Sequence, residues 1–258
     1  MKSSSVLLTS MLVQMKQTFS RNMFKFTLFV GPFLTTIILG EMYRHSTADN
    51  FVAYVVLGSG LWSLWNCIAF SSAGDIHRER YSNTLSIIFS APADFRLILL
   101  GKIFGNTVLS MGSFFLSIFY ATLLYRHPII VNNWPLLIAA LALAIVAFII
   151  MSIFIAYLLT LSRKTTIYMN CLEIPFALIC GFVFPIENLP QGVQYFSWIF
   201  PPTWAVRLLR YSVTETAYGF WENFIPLVIT MAVFAVLAAW LYRIIFRQSK
   251  ILGTLDMA

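Results

Sequence analysis

LLIAALALAIVAFIIMSIFIAYLLTL, residues 136 to 161, decides the fold. The run carries no charge, and its only polar atoms are the hydroxyls of Ser152, Tyr157 and Thr160. As a helix rising about 1.5 Å per residue it extends about 39 Å, longer than the ~30 Å hydrocarbon core of a bilayer. Only a helix satisfies all its backbone groups within one lipid-bound segment, so the run reads as a membrane-spanning helix.

Five further apolar stretches flank it, at 26 to 42, 51 to 70, 103 to 125, 167 to 184 and 224 to 246. The composition agrees, since 59% of the 258 residues are apolar and only 10% charged, with mean hydropathy +0.81. Soluble domains are about 45–50% apolar and about a quarter charged, so a soluble enzyme is excluded. The expected fold is an all-α membrane protein with six transmembrane helices, a single polytopic domain over 1–258, and no room for a second soluble catalytic domain. An even number of spans puts both termini on one side.

The basic residues say which side. Lys2, Lys16, Arg21 and Lys25 precede the first span; Arg78, Arg80, Arg96 and Lys102 lie between the second and third. Arg163 and Lys164 follow the fourth span, and Arg243, Arg247 and Lys250 end the sixth. The opposite side holds only Arg44, Arg126, Arg207 and Arg210. The excess predicts cytoplasmic N- and C-termini in a multi-pass protein of the cytoplasmic (inner) membrane. The net charge of +7 therefore records orientation, and no nucleic-acid partner is expected.

Cys67, Cys171 and Cys180 fall inside apolar blocks without metal-ligand spacing, so neither a disulfide nor a metal site is expected. The N-terminus lacks the pattern of a cleaved signal peptide. Residues 5 to 21 instead place Leu7, Leu8, Met11, Leu12, Met15 and Phe19 on one helical face, with Ser10, Gln14, Gln17 and Arg21 largely elsewhere. Residues 1–25 are expected to form an amphipathic helix lying on the membrane. Gly101 and Gly105 form a small-xxx-small pair at the mouth of the third span, for which helix packing is the reading.

Two connections exceed the needs of a helix hairpin, 74–102 and 185–223. In the first, expected in the cytoplasm, a charged cluster around Glu79 and Arg80 precedes an apolar segment, Thr84 to Phe89, too short to cross the bilayer. A short interfacial helix there would offer Leu85, Ile88 and Phe89 to a partner's groove and stop at Pro92; the alternative is a juxtamembrane helix seated in headgroups. The second, expected outside, is rich in aromatic residues and broken by Pro190, Pro201 and Pro202 into pieces of about ten residues. Two short helices dipping back into the outer leaflet fit it best, against the alternative of a hairpin lying flat as an aromatic belt.

No G-x-x-x-x-G-K-[ST] phosphate loop occurs, so the chain is not expected to hydrolyse nucleotide alone. His45, His77 and His127 lie in three separate connections, which disfavours a shared metal or catalytic cluster. An intramembrane enzyme would need polar groups converging at one depth, and the spans offer mainly Asn66, Asn170 and Glu173. A channel is disfavoured because no span carries a run of acidic or basic residues.

The two long loops carry a family resemblance. Glu79, Arg80, Thr84, Leu85 and Pro92 are similar to the E-R-x-x-G-T-L-x-x-x-x-x-x-P signature of type-2 ABC transporter permeases, with Asn83 standing where the family commonly has Gly. Phe184, Pro185, Leu189, Pro190, Pro201 or Pro202, and Arg210 resemble that family's second pattern, F-P-x-x-x-L-P followed by Pro and Arg. The resemblance implies the membrane-spanning subunit of an ABC exporter. Two permease copies, a homodimer, would form the pathway, each bound to a separate ATPase subunit that carries ATP and Mg; this chain would hold no cofactor and no catalytic residue.

It further implies that Glu79, Arg80, Thr84, Leu85 and Pro92 couple to the ATPase, to which the apolar docking segment adds Phe89, and that Phe184, Pro185, Pro190, Pro201 and Arg210 form the external gate. Cargo expected from the resemblance is an amphipathic drug, antibiotic, peptide or lipid-like molecule, the alternative being a lipid-linked polysaccharide or teichoic acid-like polymer. Glu173, with Asn170 and Pro175 nearby, is an ionisable residue inside a span, which is expensive in lipid. It is expected either to serve the pathway or to be a protonated, hydrogen-bonded group between helices.

Overall fold

The computed structural model describes residues 3–44, 52–68, 95–125, 131, 133–160, 174–214 and 219–252, and the secondary structure of these residues is helical throughout. In chain order the helices are α1 (Ser3–Ser20), α2 (Asn22–Tyr43), α3 (57–68), α4 (Phe95–Tyr125), α5 (Trp134–Thr160), α6 (174–179), α7 (Gln191–Ser197), α8 (Pro201–Thr214) and α9 (Phe220–Leu252). A π-helical turn, Val52–Val56, leads into α3, and a 3-10 turn, Ile186–Asn188, precedes α7.

Among the described residues four helices, α2, α4, α5 and α9, are long and apolar enough to cross a membrane. Each begins before the boundary expected from hydropathy, α4 by the most, at Phe95 rather than 103. Hydropathy marks the part in hydrocarbon, whereas the i to i−4 ladder continues through Arg96 and Lys102 until the chain has other partners. The stretches expected to span at 51–70 and 167–184 are described over 52–68 and 174–184.

Contacts fix the direction of each helix. The first turns of α4 meet α1, where a Cβ on Gly101 would sit 2.7 Å from the Leu7 carbonyl oxygen. At the far end of α4, the Tyr125 hydroxyl donates to the Ile37 carbonyl (3.4 Å) near the close of α2. Helices α5 and α9 run back, so that Leu100, Tyr157 and Tyr242 line one cavity. The bundle thus has an α1 end and an opposite end, here the loop end, which carries Tyr43, Tyr125 and the segment from Gly181 to α8.

The seam between α1 and α4 buries polar residues of α1 against a spanning helix. Leu8, Leu12 and Phe19 are exposed, while Gln14 and Thr18 are buried against α4. Gln14 Nε2 donates to Thr18 Oγ1 (2.8 Å) and to Asn106 Oδ1 (3.1 Å), and Thr18 Oγ1 donates to the same Asn106 oxygen (2.9 Å). Gly101 and Gly105 make the approach possible, since a Cβ on Gly105 would lie 2.7 Å from the Met11 carbonyl oxygen. The physical reason is that polar side chains gain more from a protein partner than from hydrocarbon, and apolar ones lose nothing by facing lipid.

A second polar seam joins three helices. Thr35 of α2 lies 2.9 Å from Ser63 of α3, and Ser117 of α4 donates to Ser63 Oγ (3.3 Å). Beside it the main apolar cluster centres on Trp65, which stacks on Phe176 (4.6 Å between centroids) and meets Phe148 edge-on (5.9 Å). Cys67 and Cys180 are buried as small apolar residues; Cys171 lies outside the described residues.

Replacing Asn106 by Leu removes the shared acceptor of the α1 seam. Membrane interhelical hydrogen bonds average about 0.6 kcal/mol each, so Asn106→Leu should destabilise by about 1 to 2 kcal/mol. Gly105→Leu should instead lift α1 off α4. Thermal unfolding in detergent, read beside protease cleavage within α1, should show a lower Tm for both and enhanced cleavage for Gly105→Leu.

Candidate functional site

The loop end is organised by how α6 stops. Gly181 has φ +77°, a left-handed conformation that glycine adopts without steric penalty. Around it Phe182 N–H donates to the Ala177 carbonyl (3.1 Å) and Gly181 N–H to the Leu178 carbonyl (3.1 Å). This paired pattern is a Schellman cap, which satisfies the last carbonyls of α6 and turns the chain sharply. A Cβ on Gly181 would also lie 2.7 Å from Ile186 Cγ1, so the turn is packed as well as bent.

The turn delivers Phe182, fully buried among the core aromatics, and aims its carbonyl into the bundle. Arg210 of α8 donates from Nη2 to that carbonyl (3.2 Å). Its guanidinium carbon lies 4.8 Å from the centroid of the Tyr54 ring, in cation–π contact. Tyr54 in turn stacks on Tyr43 (5.3 Å, 12° between planes), whose hydroxyl donates to the Val183 carbonyl (3.0 Å). One arginine therefore links α8, the end of α6 and the π-turn before α3. Burial lowers the basicity of Arg210, opposed by Tyr54, Tyr43 and Glu187; the guanidinium keeps its proton throughout.

Helix α3 reaches the same point. A Cβ on Gly58 would stand 2.7 Å from the Phe182 carbonyl oxygen that Arg210 binds. Only a glycine lets the α3 backbone come so close. A small cavity of about 60 Å³ adjoins this junction, lined by Tyr54, Pro185, Glu187, Arg207, Arg210 and Asn223 among others. At its rim Arg207 pairs with the partly exposed Glu187 (3.4 Å) and lies over the Trp204 ring (5.3 Å).

Between α7 and α8 the corner is held by two hydroxyls. Ser197 Oγ donates to the Ile179 carbonyl (2.7 Å), and Thr203 Oγ1 donates to the Ser197 carbonyl (2.7 Å). Pro201 and Pro202 open α8, where the missing N–H groups would have had no intrahelical partner. The two pieces are seven and fourteen residues long rather than about ten each, and their environments differ. Ala205, Val206, Leu208 and Leu209 of α8 are fully buried against α5 and α9, whereas Tyr195, Phe196, Trp198 and Ile199 stay exposed. The shorter piece is thus the exposed aromatic one and the longer piece the packed one.

Of the residues expected at this gate, the structure brings Pro185 and Arg210 to one cavity, with Phe184 half-buried beside it, Pro201 buried at the start of α8 and Pro190 exposed at the start of α7. Sequence reading missed Gly58, Tyr54, Gly181 and Phe182. Gly181 had a signal, a glycine closing an apolar helix just before Phe-Pro; Tyr54 and Gly58 had none. Glu79, Arg80, Thr84, Leu85, Phe89 and Pro92 lie outside the described residues, as do Asn170 and Glu173. Chemically, the described site can hold or release a carbonyl and an ion pair.

The profile described as ABC-2 family transporter protein matches residues 2–240 of the chain. The chain belongs to the ABC-2 transporter family. A search among curated proteins finds no match. Members of the ABC-2 family are membrane subunits of ABC transporters, not catalytic ones, and the family implies an ABC ATPase partner. This permease is accordingly a multi-pass membrane protein with a transport role.

Arg210→Gln removes the donor to Phe182 and the cation over Tyr54, and should destabilise the permease by about 1 to 3 kcal/mol, the range for stranding a buried acceptor. Glu187→Gln breaks only a partly exposed pair and should change stability by less than about 1 kcal/mol. Denaturation midpoints of the two variants in the same detergent check the ordering, which a gate held chiefly by the Glu187–Arg207 pair would reverse.

Proposed function

We propose that the chain is the permease subunit of an ATP-driven exporter, forming half of a pathway with a second identical copy, with two copies of a separate ATPase binding ATP and Mg. The observation that carries the reading is family membership over residues 2–240. In this proposal the chain crosses the cytoplasmic membrane six times with both termini in the cytoplasm, supported by the bias of Lys and Arg toward the α1 end. The loop end is then external, and α7 and α8 re-enter the outer leaflet as the gate. The burial of α8 and its anchoring by Arg210 support a gate moving as a helix rather than as a loose flap.

The coupling surface comprises Glu79, Arg80, Thr84, Leu85, Phe89 and Pro92, joined by α1, whose docking on α4 through Asn106 supports passing a push into the third span. ATP-driven closure of the ATPase pair shifts the population between two gate states, which requires coupling contacts that differ between them. Glu173 and Asn170 serve the pathway. Buried Trp65 Nε1 and Asn66 Oδ1, without hydrogen-bond partners among the described residues, support an interior with polar capacity to spare.

The cargo is an amphipathic drug, antibiotic, peptide or lipid-like molecule, a class supported by the apolar, aromatic loop end. Exposed Tyr195 and Trp198, edge to face at 5.3 Å, equally suit stacking on sugar rings, so a lipid-linked polysaccharide or teichoic acid-like polymer is the second reading.

Co-expression of the chain with each ATPase encoded near its gene, followed by extraction in mild detergent, tests the proposal. A complex with ATPase activity is expected from the wild type, and Leu85→Asp with Phe89→Asp should abolish it while the permease elutes normally. Absence of any ATPase on well-folded wild type overturns the exporter reading. Glu173→Gln should assemble normally and lose transport; unimpaired transport removes Glu173 from the pathway.

A further inference from the structure

At the α1 end, α4, α5 and α9 leave a groove where small residues meet. On α9 the lining residues include Ala235, Ala238 and Ala239, facing Ile150 and Ile153 of α5, and Leu100 of α4 closes one side. The cavity measures about 290 Å³ and is predominantly apolar. Ala235 and Ala239 are exposed, so the groove opens outward from the bundle rather than into it.

Its position decides what can fill it. The lining lies on three of the helices that are long and apolar enough to span a membrane, near the ends of α5 and α9 and the start of α4. From Ala235 to Tyr242 the groove runs about 10 Å along the helix axis, within the thickness of one leaflet. Water needs two to four polar partners to occupy such a space, and an empty groove forfeits dispersion contacts along its whole wall. A hydrocarbon chain satisfies both requirements.

Charge then selects the headgroup. Arg243 follows Ala239 by four residues, hence on the same helical face one turn beyond the groove toward the membrane surface, and it is exposed. In sequence Arg247 follows four residues later, and Arg96 precedes Leu100 by four. Helices α4 and α5 carry no Asp or Glu, and the single carboxylate of α9, Glu222, lies in its first turn at the loop end. The mouth of the groove is thus cationic with no acid on these helices to offset it, the arrangement that attracts anionic headgroups to pockets between spanning helices.

We propose that this groove binds one anionic glycerophospholipid from the leaflet at the α1 end, with an acyl chain along Ala235, Ala238 and Ala239 and the phosphate on Arg243. The site stands on the membrane fold alone and holds whichever cargo the permease moves and whichever side the α1 end faces.

The test uses the full chain reconstituted in phosphatidylcholine bilayers containing a trace of photoreactive-acyl phosphatidylglycerol or, separately, the matching phosphatidylcholine probe, with cross-linked peptides mapped by mass spectrometry. Label from the phosphatidylglycerol probe should concentrate in 150–157 and 235–242 and exceed that from phosphatidylcholine about fivefold, the effect of one basic residue at a membrane surface. Arg243→Gln, on the exposed surface, should bring the two probes to parity. Ala239→Phe should fill the groove and remove label from both segments without lowering the Tm. Equal labelling by the two probes on wild type overturns the proposal, as does label spread evenly over the lipid-facing helices. Copy-to-copy disulfide formation by Ala239→Cys, with little label on either segment, overturns it too, by showing that a second chain covers the groove. Should Ala239→Phe fail to fold, the Arg243→Gln comparison decides alone.

Discussion

The arrangement of the loop end depends on one buried guanidinium. Arg210 is only 8% exposed, and its Nη2 holds the carbonyl of Phe182 just past the point where α6 ends. Inside a membrane protein a carbonyl released from a helix must find another donor, since neither lipid nor an apolar core supplies one. Arginine suits the task because its charge is permanent and its several donors are spread over a plane that also lies against an aromatic ring. With Tyr54 beneath it and Gly58 allowing α3 to close in, one side chain fixes three elements relative to α8. The ion pair of Glu187 with Arg207 lies at the rim, where solvent weakens it, so the buried arginine rather than the visible salt bridge carries the constraint.

The opposite end follows the same logic with neutral groups. Water expulsion contributes little between helices already surrounded by hydrocarbon, so association rests on close backbone approach and on hydrogen bonds. Gly101 and Gly105 supply the approach of α1 to α4, and Gln14, Thr18 and Asn106 supply the bonds. Thr35, Ser63 and Ser117 repeat the device among α2, α3 and α4. The buried polar residues of these described helices thus lie where helices must register against one another, and the large apolar side chains Phe29, Phe115, Phe119 and Val236 are left facing outward.

That inversion explains what the sequence revealed and what it withheld. Residues 136 to 161 declared a span because length and hydropathy suffice for that inference, and α5 occupies 134 to 160 almost as expected. The same reasoning placed the start of α4 eight residues late, because hydropathy falls at Arg96 and Lys102 while the backbone ladder does not. Periodicity identified α1 as amphipathic, but the docking of Gln14 and Thr18 on α4 was not legible, since their partner Asn106 lies far along the chain in another helix. Arg210 and Pro185 were legible as a pattern of residue types. Tyr54 and Gly58 were not, because nothing local distinguishes them from other residues of an apolar stretch; their role arises from the fold bringing Arg210 over the first and the Phe182 carbonyl against the second.

The two ends differ in how they can move. At the loop end α8 is surrounded by α5, α9 and the aromatic cluster around Trp65, so displacing it requires breaking the Arg210 junction and the Ser197–Thr203 corner together. Interlocked directional contacts of this kind favour two discrete arrangements over a continuous range, because a partly displaced arginine would leave both the Phe182 carbonyl and its own charge unsatisfied. At the α1 end the contacts lie along the seam with α4 and the outer face of α1 is exposed, so α1 is tied to the bundle chiefly through α4 and the Asn106 hydrogen bonds. Helix α4 runs from that seam to Tyr125, which touches the carbonyl of Ile37 two turns before α2 closes beside Tyr43. Tyr43 stacks on Tyr54, and Tyr54 lies under Arg210. A continuous line of packed and hydrogen-bonded residues therefore joins the two ends, running from Asn106 to the Arg210 junction, one of the two sets of contacts that hold α8.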